Sequence, residues 1–303
     1  MKTIRIGTRG SRLALAQTRQ VEALLITAHP GISLQEVVIR SSADRSPDTP
    51  LIQFQTRGVF VRELEEALLE GRIDLAVHSL KDMPSLLPEG LTLTVTPERA
   101  DPSDALVSDG KTLKELETGA VVGTSSPRRQ AFLHFMRPDL SAADIRGNLD
   151  TRLRMLEEGG YHALILASAG LHRLGMSHRI TERLPLDHFI PAPGQGALAL
   201  EIRADEMKLL EMLQPLNHPE SALSVEAERA FLMELNAGCT AAVGAYACLQ
   251  GDELVLHAAI ASPAENLLYR TTERGSRTSA QQIGIRAAQE LRAKGEAILR
   301  PTP

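Results

Sequence analysis

The sequence predicts an α/β protein followed by a smaller α+β module. Three observations carry this. Over the first two-thirds, short apolar runs alternate with helical periodicity. A glycine–hydroxyl–arginine motif recurs about 116 residues apart. The last third instead places a helix, three consecutive strand patterns and a final helix. At ~100–200 residues per domain, 303 residues suffice for two or three domains, each with its own core.

The chain opens Met1-Lys2-Thr3-Ile4-Arg5-Ile6, which alternates charge and apolarity without an apolar leader, so Thr3–Gly7 reads as a first strand. Ser11 caps a predicted helix to about Ala28, with Leu13, Ala16, Val21, Leu24 and Leu25 near one face. Leu34–Arg40 is a strand, Ser41–Arg57 a polar loop, Phe60–Glu70 a helix, and Ile73–His78 a strand that runs into Ser79-Leu80-Lys81-Asp82. Leu91–Thr96 is a further strand. After Pro97 the pattern restarts, with strands near Ala105–Val107, Ala120–Thr124, Asp144–Arg146 and Ala163–Ala167. Helices over Pro127–Met136, Leu149–Glu158 and Ala169–Leu174 lie between them. Parallel or mixed sheets covered on both faces follow. A helix over Glu220–Leu235 leads to strands near Ala242–Cys248, Glu253–Ala261 and Leu267–Thr272, then a helix over Ser279–Lys294. That order fits an antiparallel sheet with helices on one side.

Composition narrows the function. The net charge of −5 excludes a globally basic nucleic-acid binder but leaves room for a local basic groove. No uncharged apolar run approaches the ~18–20 residues of a membrane span. Two cysteines, Cys239 and Cys248, form no CxxC pair, so neither a disulfide framework nor a cysteine zinc site is expected, and the cytoplasm is the expected compartment. The cations are 27 Arg and 6 Lys. Arginine's planar fork pairs bidentately with carboxylate and phosphate, although biased codon usage would give the same count. No HExxH, GxGxxG, P-loop or paired-carboxylate glycosidase signature occurs.

The recurring motif is Gly7-Thr8-Arg9-Gly10-Ser11-Arg12 and Gly123-Thr124-Ser125-Ser126-Pro127-Arg128-Arg129. Each lies where a strand ends and a helix begins, so free N–H groups and the helix dipole favour an anion there. Capping alone explains Ser11, Ser126 and Pro127, but not the arginines. Asp82 sits at the end of a strand, the edge that faces the ligand crevice in open α/β sheets, and suits acid–base or cation-stabilising work. Arg154 diverges from Arg152 on the helix and reads as solvated, while Arg173 fits a helix C-terminus or a cleft equally. Cys239 follows Gly238 on a post-helical loop, unlike Cys248 in a strand pattern.

Taken together the segments resemble the porphobilinogen deaminase (hydroxymethylbilane synthase) family. The resemblance runs in order through Thr8-Arg9, Gly58–Glu65, Asp74–Pro84, Gly123–Arg129, Arg146-Gly147-Asn148 with Thr151-Arg152-Leu153, Ala169–Gly175, Gly194–Ala197, Ala227–Phe231 and Gly238-Cys239. It implies two periplasmic-binding-protein-like α/β lobes with a cleft between them, plus a smaller C-terminal α+β domain. The domains expected are 1–96 with 197–215, 97–196, and 216–303, the last carrying the cofactor cysteine. It implies a transferase that condenses four porphobilinogen molecules, each losing ammonia, onto a dipyrromethane cofactor joined to Cys239, and releases hydroxymethylbilane by hydrolysis. The product would pass to a downstream tetrapyrrole enzyme, and the protein would act as a monomer without metal, nucleic acid or membrane.

By the same resemblance Asp82 is the catalytic carboxylate. Cys239, Lys81, Arg128, Arg129, Arg146, Arg152 and Ser126 hold the cofactor. Arg9, Ser11, Thr124, Ser125, Arg173, Gln195, Arg57 and Phe60 meet substrate. The arginine count has a physical reason. Every pyrrole carries an acetate and a propionate, so six rings bring twelve carboxylates into one cleft, strongly unfavourable without cations. Gly10, Arg12, Gln53, Arg57 and His172 depart from the usual family residues, and Thr240-Ala241-Ala242 lacks the proline often found after the cysteine. Two other readings fit the same residues in part: a polycarboxylate-binding protein in which Cys239 is structural, and a phosphate-ester enzyme using the helix N-termini.

Overall fold

A computed structural model describes residues 3–39, 61–236 and 242–295. The predicted loop Ser41–Arg57, with Arg57, Phe60 and Cys239, lies outside the described residues. In chain order the elements begin β1 (Ile4–Thr8), α1 (Arg12–Ala28), β2 (Leu34–Val38), α2 (Arg62–Leu69), β3 (Leu75–Ser79) and β4 (Leu91–Leu93). Then come β5 (Asp104–Ser108), β6 (Val121–Gly123), α3 (Pro127–Met136), β7 (Ser141–Ala143), α4 (Leu149–Glu157), β8 (Ala163–Ala167), α5 (Ser168–Arg173) and β9 (Glu182–Arg183). They end with β10 (Leu198–Arg203), α6 (Met207–Leu213), α7 (Pro219–Leu235), β11 (Ala242–Gln250), β12 (Glu253–Ser262), β13 (Leu267–Ser276) and α8 (Ala280–Lys294).

The chain divides into two compact units, Met1–Ala100 with Ala197–Ala222, and Asp101–Gly196 with Leu223–Pro303. The first holds the sheet β2-β1-β3-β10-β4, in which β1 runs parallel to β2 and β3, and β10 antiparallel to β3 and β4. The second holds β7-β6-β8-β5-β9, with β6 parallel to β7 and β8, and β5 antiparallel to β8 and β9. The two orders correspond position by position, so β6 stands in its sheet where β1 stands in the other. The repeated motif is therefore a repeated place in a repeated sheet. Its glycines follow from packing. A Cβ on Gly7 would lie 2.2 Å from Ile73 Cδ1, and one on Gly123 would lie 2.6 Å from Leu164 Cδ2.

Local signals act as read. Ser11 Oγ accepts the Ala14 N–H at 3.2 Å and starts α1, whose buried Val21 and Leu25 pack with Ile6 and Leu75. Ser126 accepts the Arg129 N–H at 3.4 Å, with Pro127 at the first position of α3. Fully burying such Leu, Ile or Val side chains contributes roughly 1.5–3 kcal/mol each. The third sheet, β11-β12-β13, is antiparallel throughout. Its Ala245, Leu254, Leu256 and Ala258 pack with Phe231 of α7 and Ile283, Ala287 and Leu291 of α8. Its other face is covered too: Ala259, Ala261 and Tyr246 join Phe132, Phe189 and Ile190 in a second core.

Several elements, the unforeseen helix α6 among them, differ from the sequence reading. The strand expected over Asp144–Arg146 lies at Ser141–Ala143, because Gly147 takes a φ of 94° and Asn148 caps α4 by accepting the Thr151 N–H at 2.9 Å. That leaves Ile145 buried at the strand's exit. β10 escapes prediction because Leu198–Ile202 is buried on both faces and has no period to read. β9 is a two-residue edge pairing.

One buried acid gives the fold a pH dependence. Glu65 of α2 is 8% exposed, and its Oε1 has no hydrogen-bond partner. Burial, then the nearby Glu201 charge, push its carboxyl from 4.5 up to about 7 against the opposing His78. Between those values the native state keeps a proton that the unfolded chain has lost, so stability falls as pH rises through the window. Glu65→Gln should match the parent at pH ~5 and exceed it by roughly 1–3 kcal/mol at pH ~8. Denaturant titrations at the two pH values check this; equal slopes with pH in both proteins refute it.

Candidate active site

In the first unit the candidate groups stand at the carboxyl ends of β1 and β3. Arg9 follows β1 and is half-buried, with Ser11 capping α1 two residues on. β3 ends at Ser79 and passes into a 3-10 turn, Leu80–Asp82, which leaves Lys81 half-buried and Asp82 exposed. The turn is anchored at its start. Ser79 Oγ accepts from Gln17 Nε2 of α1 at 2.6 Å, and the Leu80 N–H donates to the Ala197 carbonyl at 3.1 Å.

In the second unit the candidates converge on one buried carboxylate, Asp104 at the start of β5. Arg128 Nη1 donates to its Oδ2 at 2.7 Å, Arg129 Nε to its Oδ1 at 2.9 Å, and Gln195 Nε2 to Oδ1 at 2.9 Å. Arg128 also donates to the Ile190 carbonyl at 2.9 Å, between the Phe132 and Phe189 rings. Arg129 Nη1 reaches the Ile165 carbonyl at 3.0 Å. Burial pushes the Asp104 carboxyl up, but the charges of Arg128 and Arg129 and the bonds from Arg128 and Gln195 outweigh it, holding it far below the usual carboxylate range. Two guanidiniums thus share one carboxylate, which leaves a positive surplus, and the buried Arg128 Nε has no hydrogen-bond partner.

More positive charge gathers around this pair. Arg152 Nε donates to the Gly147 carbonyl at 2.9 Å; burial and then the charge of Arg129 pull its pKa down, which places it within the field of Arg129. Arg173 Nη2 donates to the Gly196 carbonyl at 2.8 Å, and burial lowers its pKa to about 10. Arg146 is exposed. Cations that lose water without full compensation gain most from a bound anion.

The hydroxyl groups divide by task. Ser125 Oγ donates to the Ile145 carbonyl at 2.7 Å and accepts its N–H at 2.9 Å, so it ties the β6 loop to the exit of β7. Thr124 is buried and its Oγ1 accepts the Ser126 N–H at 3.4 Å. Arg154 is exposed beside Glu158, in keeping with a solvated face. Sequence reasoning missed Asp104; the only cue was an acid two residues after Pro102 at the start of an apolar run, which ordinarily marks a turn. A separate cavity of 430 Å³ in this unit is lined by Asp101, Arg183, Asp187, Tyr246, Cys248 and His257, and by none of the expected site residues.

Guanidinium groups gather at strand and helix ends of the second unit, an arrangement that suits a protein handling a multiply charged anion. Comparison supplies the particular family. The family model described as "Porphobilinogen deaminase, dipyromethane cofactor binding domain" matches residues 4–211, and "Porphobilinogen deaminase, C-terminal domain" matches residues 222–293. The porphobilinogen deaminase of Roseiflexus sp. (strain RS-1) is 48% identical over 295 residues, covering 97% of either chain. That of Syntrophobacter fumaroxidans is 44% identical over 295 residues, covering 97% of this chain and 96% of the other. Among solved structures, the Bordetella pertussis BvgS VFT2 domain (double mutant F375E/Q461E) aligns at 16% identity with a TM-score of 0.42, over 71% of this chain and 86% of that one.

The chain belongs to the porphobilinogen deaminase family. It is a transferase of tetrapyrrole biosynthesis that condenses porphobilinogen on a dipyrromethane cofactor. The second unit fits such a group. Two pyrroles bring four carboxylates, and the structure offers a surplus guanidinium charge, an unpartnered buried Nε and two further desolvated arginines. No helix among the described residues is long and apolar enough to cross a membrane.

Proposed function

We propose that Asp82 is the catalytic carboxylate and Cys239 the point of cofactor attachment. When bound, dipyrromethane supplies the pyrrole carbon to which the first substrate ring is joined. In each addition the substrate's C–N bond would break with its electron pair leaving in ammonia, and the C–C bond that replaces it would release one proton from the receiving ring. Positive charge develops on the substrate pyrrole in between. Asp82 supplies a fixed negative charge for it and an acceptor for the proton.

Lys81, Arg129, Arg146, Arg152 and Ser126 hold cofactor carboxylates. Arg128 serves the same site from within, committed to Asp104 and Ile190. Arg9, Ser11, Thr124, Ser125, Arg173 and Gln195 meet substrate, as do Arg57 and Phe60. The division into domains 1–96 with 197–215, 97–196 and 216–303 belongs to this reading, as do a monomer in the cytoplasm and delivery of the product to a downstream tetrapyrrole enzyme. The observation that carries the reading is the positive surplus around Asp104, which a polycarboxylate would neutralise.

Intact-protein mass tests it. The purified protein should exceed its 32.9 kDa chain by one dipyrromethane, with the added mass on the Cys239 peptide. A bare chain in protein that consumes no porphobilinogen would favour the plain polycarboxylate binder. Added mass on Cys248 would overturn the attachment site alone.

A further inference from the structure

We propose that Glu201, acting through His78, is a positioning residue for the turn that carries Asp82. The inference rests on the role given to Asp82 above. Side chains alternate along a strand, so the last two residues of β3 point to opposite faces of its sheet. Each is gripped on its own face. Ser79 is held by Gln17 of α1. His78 Nε2 lies 3.0 Å from Glu201 Oε2, with both side chains buried. A carboxylate oxygen accepts, so the hydrogen of this bond belongs to the imidazole Nε2. The register explains the contact: Ala199 stands opposite His78 and Glu201 opposite Ala76, which makes His78 and Glu201 diagonal neighbours on one face. The third tether follows at once, Leu80 N–H to the Ala197 carbonyl. Three consecutive residues, 78 to 80, are thereby fixed immediately before Lys81 and Asp82, two of them by the segment 197–201.

A polar pair is a poor way to gain stability here. Desolvating an imidazole and a carboxylate costs as much as their attraction returns, and apolar residues would pack as well. Apart from Glu65, the α2 residues packed on this face are apolar, with Ala76 beside Leu64, Ala67 and Leu68. Glu201 even keeps Oε1 without a hydrogen-bond partner, and its charge acts on Glu65, whose Oε1 is likewise unpartnered. What a directional bond provides and apolar packing does not is a single register and rotamer at the strand's end. The Asp82 turn begins there.

The test is a double-mutant cycle on cofactor-loaded enzyme: Glu201→Gln, Asp82→Asn and the two combined, with kcat and KM measured on porphobilinogen. Glu201→Gln should lower kcat about 10- to 100-fold, as a carboxylate displaced by a fraction of an ångström would, with KM changed less than about twofold. Added to Asp82→Asn it should lower kcat no more than about twofold, because the group being positioned is already gone. His78→Phe, which keeps a ring and removes the donor, should reproduce the single-variant loss. Unchanged kcat in Glu201→Gln overturns the inference, and so does its full effect recurring in the Asp82→Asn background. Failure of both Glu201→Gln and His78→Phe to fold also overturns it, since the pair would then serve the core. Normal turnover in Asp82→Asn itself is a different result: it removes the assigned role of Asp82, and the inference with it.

Discussion

Replacing Asp82 by asparagine should leave the protein folded and cofactor-loaded while kcat falls by roughly 10²–10⁴, the range supplied by a positioned acid–base group. The side chain is exposed at the end of a 3-10 turn whose ties are made by Ser79 and Leu80. Surface substitutions of this kind usually move stability by no more than about 0.5 kcal/mol. Asparagine keeps the shape and a hydrogen-bonding carbonyl, so the difference isolates the charge. A neutral amide neither offsets the cation that forms as ammonia leaves nor takes up the proton that follows. Rapid quench of a single turnover, read alongside a thermal melt, separates the outcomes. Slow chemistry with an unchanged melt is expected. An unchanged single-turnover rate would move the catalytic role elsewhere.

The parts of the site that could be read in advance are those whose chemistry is local. Ser11, Ser126 and Pro127 announce helix starts by residue type, and the helices begin there. Gly7 and Gly123 announce a repeat, and the sheets repeat in strand order around β1 and β6. Arg128 and Arg129 were legible as a basic pair, but their partner was not. Asp104 lies 24 and 25 residues away in sequence and becomes their counter-charge only once β5 is laid antiparallel to β8 in the same sheet. Glu201 and His78 are 123 residues apart, and a strand register alone makes them neighbours. Charge pairing across that distance has no sequence signature. Strands buried on both faces are illegible for a related reason: in β10, where residues on both faces are buried, periodicity carries no information.

Asp104→Asn should be the most damaging single substitution in the second unit. The carboxylate has no exposed surface and takes bonds from Arg128, Arg129 and Gln195. Removing its charge leaves two buried guanidiniums facing one another, and the asparagine amide presents N–H groups to donors. Breaking a buried ion pair by removing one partner costs about 3–5 kcal/mol, which corresponds to a melting temperature lower by roughly 6–20 °C. The sign with pH follows from the direction of the shift. The carboxyl is held far below its ordinary 3.8, so its contribution is complete above about pH 4 and disappears as pH falls toward the native-state value. The parent should therefore lose its advantage over the variant in acid. Cofactor retention falls for a second reason: without Asp104 the forks of Arg128 and Arg129 have no common anchor, and a cluster aimed at carboxylates loses its geometry. Restoring bulk without charge, as in Asp104→Leu, should not help. If Asp104→Asn instead melts like the parent and holds its full complement of dipyrromethane, the arginine pair is fixed by Ile165, Ile190 and the two phenylalanine rings alone, and the carboxylate between them is dispensable.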